Sequence, residues 1–405
     1  MTKYDFDTIQ ARTGSDSIKW DYSSQDGVLQ PRAGGVAVLA PGALIPMWVA
    51  DMDFRPAEPI VQALTQRLQG VLGYTRAGQD HFEAIRDWVG QRHGWQVALE
   101  WIMTTIGTLP MVNLAIQLFT EPGDGVIVQP PLFNPLVQAV ANNGRLPLYN
   151  ALVYENGRYH LNFDDLEAKA ADPRCKMLIL CHPHNPVGRV WTPPELRRLG
   201  DICQKHELLI VSDELHSDLT YPWAQFNSIG AIDPALHDRI IVCSGPSKAF
   251  NIPGLKAAYT IVPNPTLRAR LTQGLHNLDL LFSVDLLSTL ALRTAYREGG
   301  EWLGQLLAYL EGNLAYVQQF VAAHLPQIRV VEPEAMYLVW LDCHGLGLTA
   351  EGLRQLFVDE ARVYVEMGSN YGAEGAGFVR LNIGCSRRLL EVALERVKTA
   401  VEKLV

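Results

Sequence analysis

Cysteine is scarce in this sequence, and its few copies form no pattern. Six cysteines are scattered through 405 residues without the CxxC spacing of a metal or redox site: Cys175, Cys181, Cys203, Cys243, Cys343 and Cys385. A chain of this length can bury a sizeable core without the disulfide bonds that small secreted domains need. We therefore predict reduced, mostly buried thiols in a cytoplasmic protein.

Long hydrophobic runs are absent as well. Apolar stretches such as Met177 to Cys181 are far shorter than the roughly 18 residues of a membrane-spanning helix. The N-terminal stretch MTKYDFDTIQARTGSDSIKW has neither the apolar core nor the small-residue cleavage site of a signal peptide. The sequence thus predicts a protein that is not exported and does not bind a membrane.

Positive charge is in deficit, with 34 Lys and Arg against 43 Asp and Glu and a net charge of −9. Binding to a phosphate backbone needs clustered cations, so nucleic acid is not a predicted partner. The glycine-rich GxxxxGK[ST] and GxGxxG loops and the HExxH zinc motif are missing too. His182 and His184 flank a proline, but no further ligands follow at a matching spacing, and we predict no metal site.

The sequence does contain a regular alternation of two kinds of segment between residues 56 and 262. Short runs rich in Val, Ile and Leu are typical of buried strands: Gly125 to Gln129, Met177 to Cys181, Leu208 to Ser212, Ile240 to Ser244 and Ala258 to Val262. Other stretches have helical periodicity: Ala57 to Leu68, Gln79 to His93, Gly107 to Phe119 and Pro193 to His206. This alternation predicts an α/β domain with a parallel or mixed sheet between helices.

The pattern changes beyond Leu275. Two long helical stretches precede short strand-like runs near Tyr337 to Leu341 and Phe378 to Ile383, which indicates a smaller α+β domain. The first 45 residues have weak periodicity and Gly/Pro punctuation, as expected of an arm that packs on another part of the chain. The predicted organisation is an arm over 1–45 packed with the small domain, a large domain over 46–285 and a small domain over 286–405.

Polar segments follow several predicted strands, at the edge where α/β sheets bind ligands. Gly107 and Thr108 open a helix whose free backbone N–H groups and positive end suit a phosphate, although a plain Thr N-cap is the alternative. Asn185, in a turn after another strand, presents an amide to a ring oxygen or simply forms an Asn-Pro turn.

Two further strand ends carry titratable groups. Asp213 ends an apolar strand, and a buried carboxylate needs a cationic or donating partner such as a protonated heterocyclic nitrogen. His216 is placed to lie beside the same group. Lys248 follows the next strand among small residues, where partial desolvation would lower its pKa and make it a nucleophile toward carbonyls. Taken alone, Lys248 is more simply interpreted as a surface lysine.

Together these groups match the needs of one cofactor, pyridoxal 5′-phosphate. Gly107 and Thr108 would anchor its phosphate, and Asn185 would bond its O3′ oxygen. Asp213 would keep its pyridine nitrogen protonated, and Lys248 would form a Schiff base with its aldehyde. Their joint occurrence at successive strand ends predicts a pyridoxal-phosphate site.

The chain resembles the fold-type-I pyridoxal-phosphate enzymes of the aminotransferase class I/II superfamily, and most of all their MalY/PatB-type cystathionine β-lyase (C–S lyase) branch. The resemblance covers nearly the whole chain and is carried by these strings: Pro46-Met-Trp-Val-Ala-Asp-Met-Asp-Phe54, His182-Pro-His-Asn-Pro-Val-Gly-Arg-Val-Trp191, Ser212-Asp-Glu-Leu-His-Ser-Asp218, Pro246-Ser-Lys-Ala-Phe-Asn-Ile-Pro-Gly254 and Phe378-Val-Arg-Leu-Asn-Ile-Gly-Cys385. It implies a large domain with a mostly parallel mixed sheet between helices, and a smaller α+β domain.

The resemblance implies roles for individual residues. Lys248 would be the Schiff-base lysine and later the base that removes the Cα proton, and Asp213 and Asn185 would keep the roles given above. The phosphate would be held by Gly107, Thr108 and Ser247. Tyr74 would reach the phosphate from a second subunit, which implies a homodimer with two shared sites.

Substrate contacts are implied in the same way. Arg380 would clamp the α-carboxylate of a small amino-acid substrate, a bidentate task that suits a guanidinium group. Ala50 and Asp51 would line the substrate entrance.

Two positions depart from the family pattern. Where the family usually places a tyrosine over the cofactor ring, this chain has Phe133, which can stack on the ring but cannot donate a proton. Lys256 stands where many aminotransferases of the superfamily carry an arginine. A lysine there would give the phosphate a positive charge but could not donate the two parallel hydrogen bonds of a guanidinium group. If a hydroxyl at position 133 assists departure of the leaving group, elimination would be slower or directed to other substrates.

The implied reaction is a β-elimination of L-cystathionine or related L-cysteine S-conjugates to pyruvate, ammonia and a thiol. The same machinery transaminates an L-amino acid if the cofactor is reprotonated before the leaving group departs, so an aminotransferase is the main alternative. A lyase with an added regulatory protein-binding role is the second alternative.

Lys248→Ala is predicted to abolish turnover, because the variant lacks the amine that attaches the cofactor and removes the Cα proton. Pyruvate release measured beside the wild-type protein tests this. Release at the wild-type rate by the variant would rule out the assignment of Lys248.

Overall fold

The structure is a computed structural model that describes residues 4–10, 12–25, 28–32, 38–40, 42–280 and 284–404. Parts of the predicted N-terminal arm therefore lie outside the described residues. All six cysteines lie inside them and are buried and free. In the described ranges, no helix combines the length and apolar character that a membrane span requires.

The described helices are α1 (Ile18–Asp21), α2 (Glu58–Leu68), α3 (Gln79–His93), α4 (Thr108–Phe119), α5 (Asn134–Asn142), α6 (Phe163–Ala170), α7 (Pro193–Lys205), α8 (Ile229–Ile232), α9 (Pro265–Asn277), α10 (Leu286–Glu298), α11 (Gly300–His324), α12 (Ala350–Arg354) and α13 (Arg387–Val401). The described strands are β1 (Tyr22–Gln25), β2 (Val28–Pro31), β3 (Ile45–Pro46), β4 (Ile102–Thr105), β5 (Gly125–Val128), β6 (Leu146–Tyr149), β7 (Val153–Glu155), β8 (Arg158–His160), β9 (Cys175–Cys181), β10 (Leu209–Asp213), β11 (Ile240–Ser244), β12 (Ala258–Ile261), β13 (Arg329–Val331), β14 (Leu338–Asp342), β15 (Val363–Tyr364), β16 (Glu366–Met367) and β17 (Phe378–Asn382).

Seven strands form the central sheet in the order β4-β12-β11-β10-β9-β5-β6. β12 is antiparallel to both of its neighbours, and the other adjacent pairs are parallel. Alternate residues of β9 enter separate hydrophobic cores, with Leu178 and Leu180 in one and Met177 and Ile179 in the other. Burial on both faces explains the continuous apolar strands. The predicted α/β fold with a mostly parallel, mixed sheet is confirmed.

The sequence does not predict the two edge strands of this sheet. β4 and β6 have four residues each, and β6 contains Pro147 and is largely exposed. A proline is tolerated at a sheet edge because one side of an edge strand has no ladder to join. β6 therefore lacks the continuous apolar run that identifies the interior strands, and in β4 the run is limited to Ile102 and Met103 before two threonines.

A second, antiparallel sheet has the order β13-β14-β17-β16. All five residues of β17 are buried, and the long helix α11 packs against β13 and α13. Arg380 lies at the centre of β17, opposite Trp340 of β14 and Glu366 of β16. This sheet therefore holds a buried arginine on a rigid element.

The N-terminal residues run along this second sheet and its helices. β3 pairs with β15, and the Phe6 ring packs against Trp302 and Tyr309 of α11 at centroid distances of 5.8 and 5.4 Å. α10 contacts α2 and α3 as well as α11, so it bridges the two regions. We propose the domain organisation that the sequence indicates: an arm over 1–45 packed with a small domain over 286–405, and a large domain over 46–285.

A buried ionic cluster fastens the arm to the rest of the chain. Asp53 accepts from Lys19 Nζ at 2.8 Å, Arg12 Nη1 at 2.7 Å and Trp20 Nε1 at 2.8 Å. The Lys19 side chain is fully buried and also donates to the Asp51 carbonyl. A buried ammonium group is tolerated only while its counter-charge and hydrogen bonds are in place.

Asp53→Ala is expected to lower the free energy of unfolding by about 3–5 kcal/mol, because it leaves the Lys19 ammonium buried without a counter-charge. Urea unfolding followed by circular dichroism measures this. Asp172→Asn is the matched control, since Asp172 pairs with Arg174 on the surface and its loss should barely move the midpoint. Equal midpoints for the two variants would show that the cluster does not fasten the arm.

Candidate active site

One large cavity of about 1560 Å³ opens between the two sheets and the N-terminal residues. Its lining includes Lys248 from the loop after β11, Arg380 from β17, Phe133 at the start of α5 and Ala50 from the segment after β3. Four of the residues predicted from the sequence therefore meet at one cavity.

The strand ends explain why other predicted residues lie close to it. β9, β10 and β11 are adjacent and parallel, so the segments that follow them leave the same edge of the sheet. Asn185 follows β9, Asp213 ends β10 and Lys248 follows β11. Thr108, the first residue of α4, reaches the same edge, where its hydroxyl donates to Asp213 Oδ2 at 3.4 Å.

Asp213 is a buried carboxylate with neutral hydrogen-bond donors. Its Oδ1 accepts from the Leu215 N–H at 3.2 Å, and no described Lys, Arg or His forms an ion pair with it. Burial raises the pKa of Asp213 to about 6, and the two hydrogen bonds and the charge of Lys248 lower it only in part. A positive group bound beside this carboxylate would relieve the cost of its burial.

The amine of Lys248 lies out of bulk water in the same region. Its Nζ donates to the Ala50 carbonyl at 2.7 Å. Burial above all, and the positive charge of Arg380, lower the pKa of Lys248, whereas Asp51 and Asp213 raise it in part; the net value is about 8. A substantial fraction of the amine is therefore neutral, and nucleophilic, in mildly alkaline solution.

Arg380 joins the two sheets. Its Nη1 donates to Asn185 Oδ1 at 3.1 Å, and its Nη2 donates to the Trp48 carbonyl at 2.7 Å. The guanidinium lies 5.2 Å from the centroid of the Tyr371 ring. Its Nε is buried without a hydrogen-bond partner in the described residues. Arg380 is thus held rigidly and retains a donor for a ligand.

The backbone carbonyls of the segment from Trp48 to Phe54 accept the hydrogen bonds of Lys248 and Arg380. Asn382 Nδ2 donates to the carbonyls of Val49 and Asp51, and the Tyr337 hydroxyl donates to that of Ala50 at 2.9 Å. Asn251 binds the Met52 N–H and carbonyl and the Phe54 carbonyl. Side chains from both sheets therefore fix the conformation of this segment.

His216 and Ser247 are buried near these groups. His216 Nδ1 has no hydrogen-bond partner in the described residues, and burial, with the charges of Lys248 and Arg380, lowers the pKa of His216 to about 3. Ser247 follows β11 directly before Lys248. Gly107 has a φ of +137°, a backbone conformation that favours glycine at the start of α4.

The cavity lining does not include Lys256, Tyr74 or Asp51. Lys256 is exposed just before β12, and the Tyr74 side chain is 88% exposed between α2 and α3. Asp51 Oδ2 accepts from Arg12 Nη2 at 2.6 Å, so this carboxylate contacts the arm, and its Oδ1 is buried without a partner in the described residues. His182 and His184 are buried and bond the backbone carbonyls of Asn227 and Pro131.

Sequence reasoning missed three contributors to the site. The Trp48 carbonyl holds Arg380, the Tyr337 hydroxyl shares the Ala50 carbonyl with Lys248, and the Tyr371 ring lies beside Arg380. A backbone carbonyl leaves no trace in sequence. Tyr337 begins one of the predicted strand-like runs and Tyr371 lies in none of them, and both look like ordinary core aromatics until their partners are known.

Comparison with known proteins identifies the family. The profile of the family described as Aminotransferase class I and II matches residues 48–397. The chain belongs to this family. Over 397 residues it is 38% identical to "Cystathionine beta-lyase PatB" from Bacillus subtilis, covering 98% of this chain and 99% of that protein. Over 400 residues it is 34% identical to "Protein MalY" from Escherichia coli, with 98% and 99% covered.

Solved structures agree with this placement. Cystalysin from Treponema denticola, whose structure contains a pyridoxal 5′-phosphate cofactor, matches with a TM-score of 0.92 and 31% identity over 99% of this chain and 100% of that chain. The resemblance found in the sequence is thereby confirmed. In the described residues, no group of three or more His, Cys, Asp and Glu is arranged to hold a metal ion.

Asp213→Asn is expected to stabilise the ligand-free protein in a pH-dependent manner. The folded-state pKa is raised above the unfolded value, so the stability tied to Asp213 is present below about pH 4 and is lost as pH rises through about 6. The amide oxygen of the variant can accept from the Leu215 N–H and its amide nitrogen can donate to the Thr108 hydroxyl, so two hydrogen bonds remain without the charge. The gain above pH 7 should be about 2–3 kcal/mol. Urea unfolding at pH 5 and pH 8 measures it.

The exposed Asp201→Asn is the control and should show no such difference between the two pH values. If Asp213→Asn lowered the free energy of unfolding equally at pH 5 and pH 8, the buried charge of Asp213 would not be what destabilises the folded protein.

Proposed function

We propose that the protein is a pyridoxal-phosphate-dependent carbon–sulfur β-lyase. It would cleave L-cystathionine or related L-cysteine S-conjugates to pyruvate, ammonia and a thiol. The observation that carries the proposal is the convergence of Lys248 and Arg380 on neighbouring carbonyls, Ala50 and Trp48, at one cavity. Similarity over nearly the full length to a protein named cystathionine beta-lyase supports it.

The residues at the sheet edge fit pyridoxal 5′-phosphate. The buried Asp213 carboxylate has no ion pair in the described residues, and the amine of Lys248 has a lowered pKa. His216 and Arg380 each keep a buried nitrogen without a partner. When bound, the cofactor supplies an electron sink that stabilises the negative charge left at Cα.

Asp213 and Asn185 would orient the cofactor ring. The Asp213 carboxylate would hold a proton on the ring nitrogen, and that pairing would return the pKa of Asp213 toward its ordinary range. Asn185, whose Oδ1 already accepts from Arg380, would donate from its amide to the ring oxygen. One residue would then align both the cofactor and the arginine that orients the substrate.

Lys248 would attach the cofactor and, once released by substrate, remove the Cα proton. Its lowered pKa keeps part of the amine neutral, as a base requires. After proton transfer the ammonium can donate again to the Ala50 carbonyl, which the Tyr337 hydroxyl also contacts. Lys248 thus has a fixed acceptor for its charged state.

Arg380 would bind the substrate α-carboxylate, and the phosphate would be held at the start of α4. The free Nε of Arg380 and its anchored Nη groups form a rigid fork of the kind that matches a carboxylate. The phosphate would be bound by Gly107, Thr108 and Ser247, with Lys256 adding charge. Ala50 lines the cavity, and Asp51 beside it would shape the substrate entrance.

A homodimer in the cytoplasm is part of the proposal. The Tyr74 ring is 88% exposed, and Val71 and Leu72 beside it are 85% and 58% exposed. Burying these apolar side chains against a second copy would remove them from water and bring Tyr74 to the partner's phosphate site.

An aminotransferase is the second candidate, and Phe133 is the observation that favours it. Phe133 lines the cavity beside Lys248 but has no hydroxyl to assist departure of the sulfur group. Slower departure would give Lys248 more time to return the proton to the cofactor.

Purified protein loaded with pyridoxal 5′-phosphate is expected to release pyruvate from L-cystathionine over many turnovers with no 2-oxo acid present. Pyruvate is followed with a coupled dehydrogenase, and the Lys248→Ala protein is the control. Loss of the yellow cofactor colour without pyruvate release would contradict the lyase and indicate transamination.

A further inference from the structure

Arg32, which follows β2 in the N-terminal arm, lines the same cavity as Lys248 and Arg380. Its backbone N–H donates to the Asp21 carbonyl at 2.7 Å, and its Nη2 contacts the Leu44 carbonyl at 3.4 Å. Its Nη1 is buried and has no hydrogen-bond partner in the described part of the chain. The guanidinium is thus held at the cavity wall with one nitrogen unsatisfied.

No carboxylate forms an ion pair with Arg32 in the described residues. Burial and the positive charge of Arg362 lower the pKa of Arg32, while Tyr364 and Asp21 act in the opposite direction. Arg362 also lines the cavity and donates its Nε to the Gly42 carbonyl. Neither guanidinium forms an ion pair with a carboxylate in the described ranges. Two cations therefore share one wall, and neither has a carboxylate in ion-pair contact within the described residues.

The carboxylates that line the cavity are engaged elsewhere. Glu351 pairs with Arg354, which also pairs with Asp359. Glu366 accepts from Asn370 and lies opposite Arg380 on the neighbouring strand. Arg354 thus lines the same cavity but has carboxylate partners within the chain, whereas Arg32 forms no ion pair in the described residues. A buried guanidinium nitrogen without a hydrogen-bond partner, such as Arg32 Nη1, is costly, and an anionic ligand would remove that cost.

We propose that Arg32 binds a carboxylate on the leaving thiol of the substrate, aided by the charge of Arg362. The cavity is continuous from Lys248 and Arg380 to Arg32, and its volume of about 1560 Å³ exceeds that of ordinary small-ligand pockets. The substrate class is then L-cysteine thioethers whose departing thiol carries its own carboxylate, as in L-cystathionine. This inference rests on the proposed function for the reaction and for the position of the α-carboxylate.

A pair of substrates isolates the leaving-group carboxylate. S-(2-carboxyethyl)-L-cysteine and S-propyl-L-cysteine differ only by a carboxylate in place of a methyl group. The wild-type protein should show a higher kcat/KM for the first. In Arg32→Gln the ratio of the two values should fall at least about tenfold, the usual effect of losing a charge-assisted hydrogen bond. Arg32→Lys should keep part of the preference, because the charge remains.

Arg354→Gln is the matched control. It removes the same charge from the same cavity, but its arginine already has carboxylate partners. Its ratio should stay within about threefold of the wild-type value, which is what loss of a screened surface charge gives. An unchanged ratio in Arg32→Gln, or an equal fall in Arg354→Gln, would overturn the subsite.

A binding measurement tests the Arg32 subsite independently of the elimination reaction. Calorimetric titration of the Lys248→Ala protein, loaded with pyridoxal 5′-phosphate, gives Kd for both thioethers without turnover. Tighter binding of the carboxyethyl compound that is lost when Arg32→Gln is added would support the subsite. This conclusion holds even if the wild-type protein eliminates neither thioether. In that case only the proposal of lyase activity fails. Equal Kd values for the two compounds would refute the subsite whether or not elimination occurs.

Discussion

The site depends on how the segment from Trp48 to Phe54 satisfies its backbone carbonyls. A segment that joins no sheet must find hydrogen-bond donors elsewhere, and here they come from side chains of both sheets. Arg380 binds the Trp48 carbonyl, and Lys248 binds the Ala50 carbonyl two residues later. This one strip of backbone sets the separation of the amine from the guanidinium. The ionic cluster around Asp53 then fixes the strip to the arm.

The same region concentrates charges that the ligand-free fold tolerates at a cost. Burial raises the pKa of Asp213 and lowers those of Lys248 and His216, because the charged form of each group is less stable there than in water. Such groups are typical of functional sites, because a ligand of complementary charge relieves the penalty when it binds. The same reasoning applies to Arg32, which lines the same cavity and has a buried Nη1 without a partner in the described residues.

Much of the fold could be predicted because interior strands of a sheet covered on both faces must be apolar throughout. Ile240 to Ser244 is predicted with its exact bounds, and Gln79 to His93 likewise as a helix. The edge strand β6 escapes prediction because it is only partly buried, whereas β4 is mostly buried but is short and ends in two threonines. The resemblance of the chain to its family is confirmed, whereas the individual roles of the site residues stay predictions.

By itself the sequence determined the α/β architecture and the family, and it predicted the residues that carry chemistry, because periodicity and short motifs are local properties of the chain. Only the tertiary structure decided which partners these residues have. Arg380 and Asn185 are 195 positions apart, and Lys248 and Ala50 are 198 apart, yet each pair is hydrogen-bonded. Contacts between distant positions arise from packing of the two sheets, and backbone carbonyls, which every residue carries, give no sequence signal.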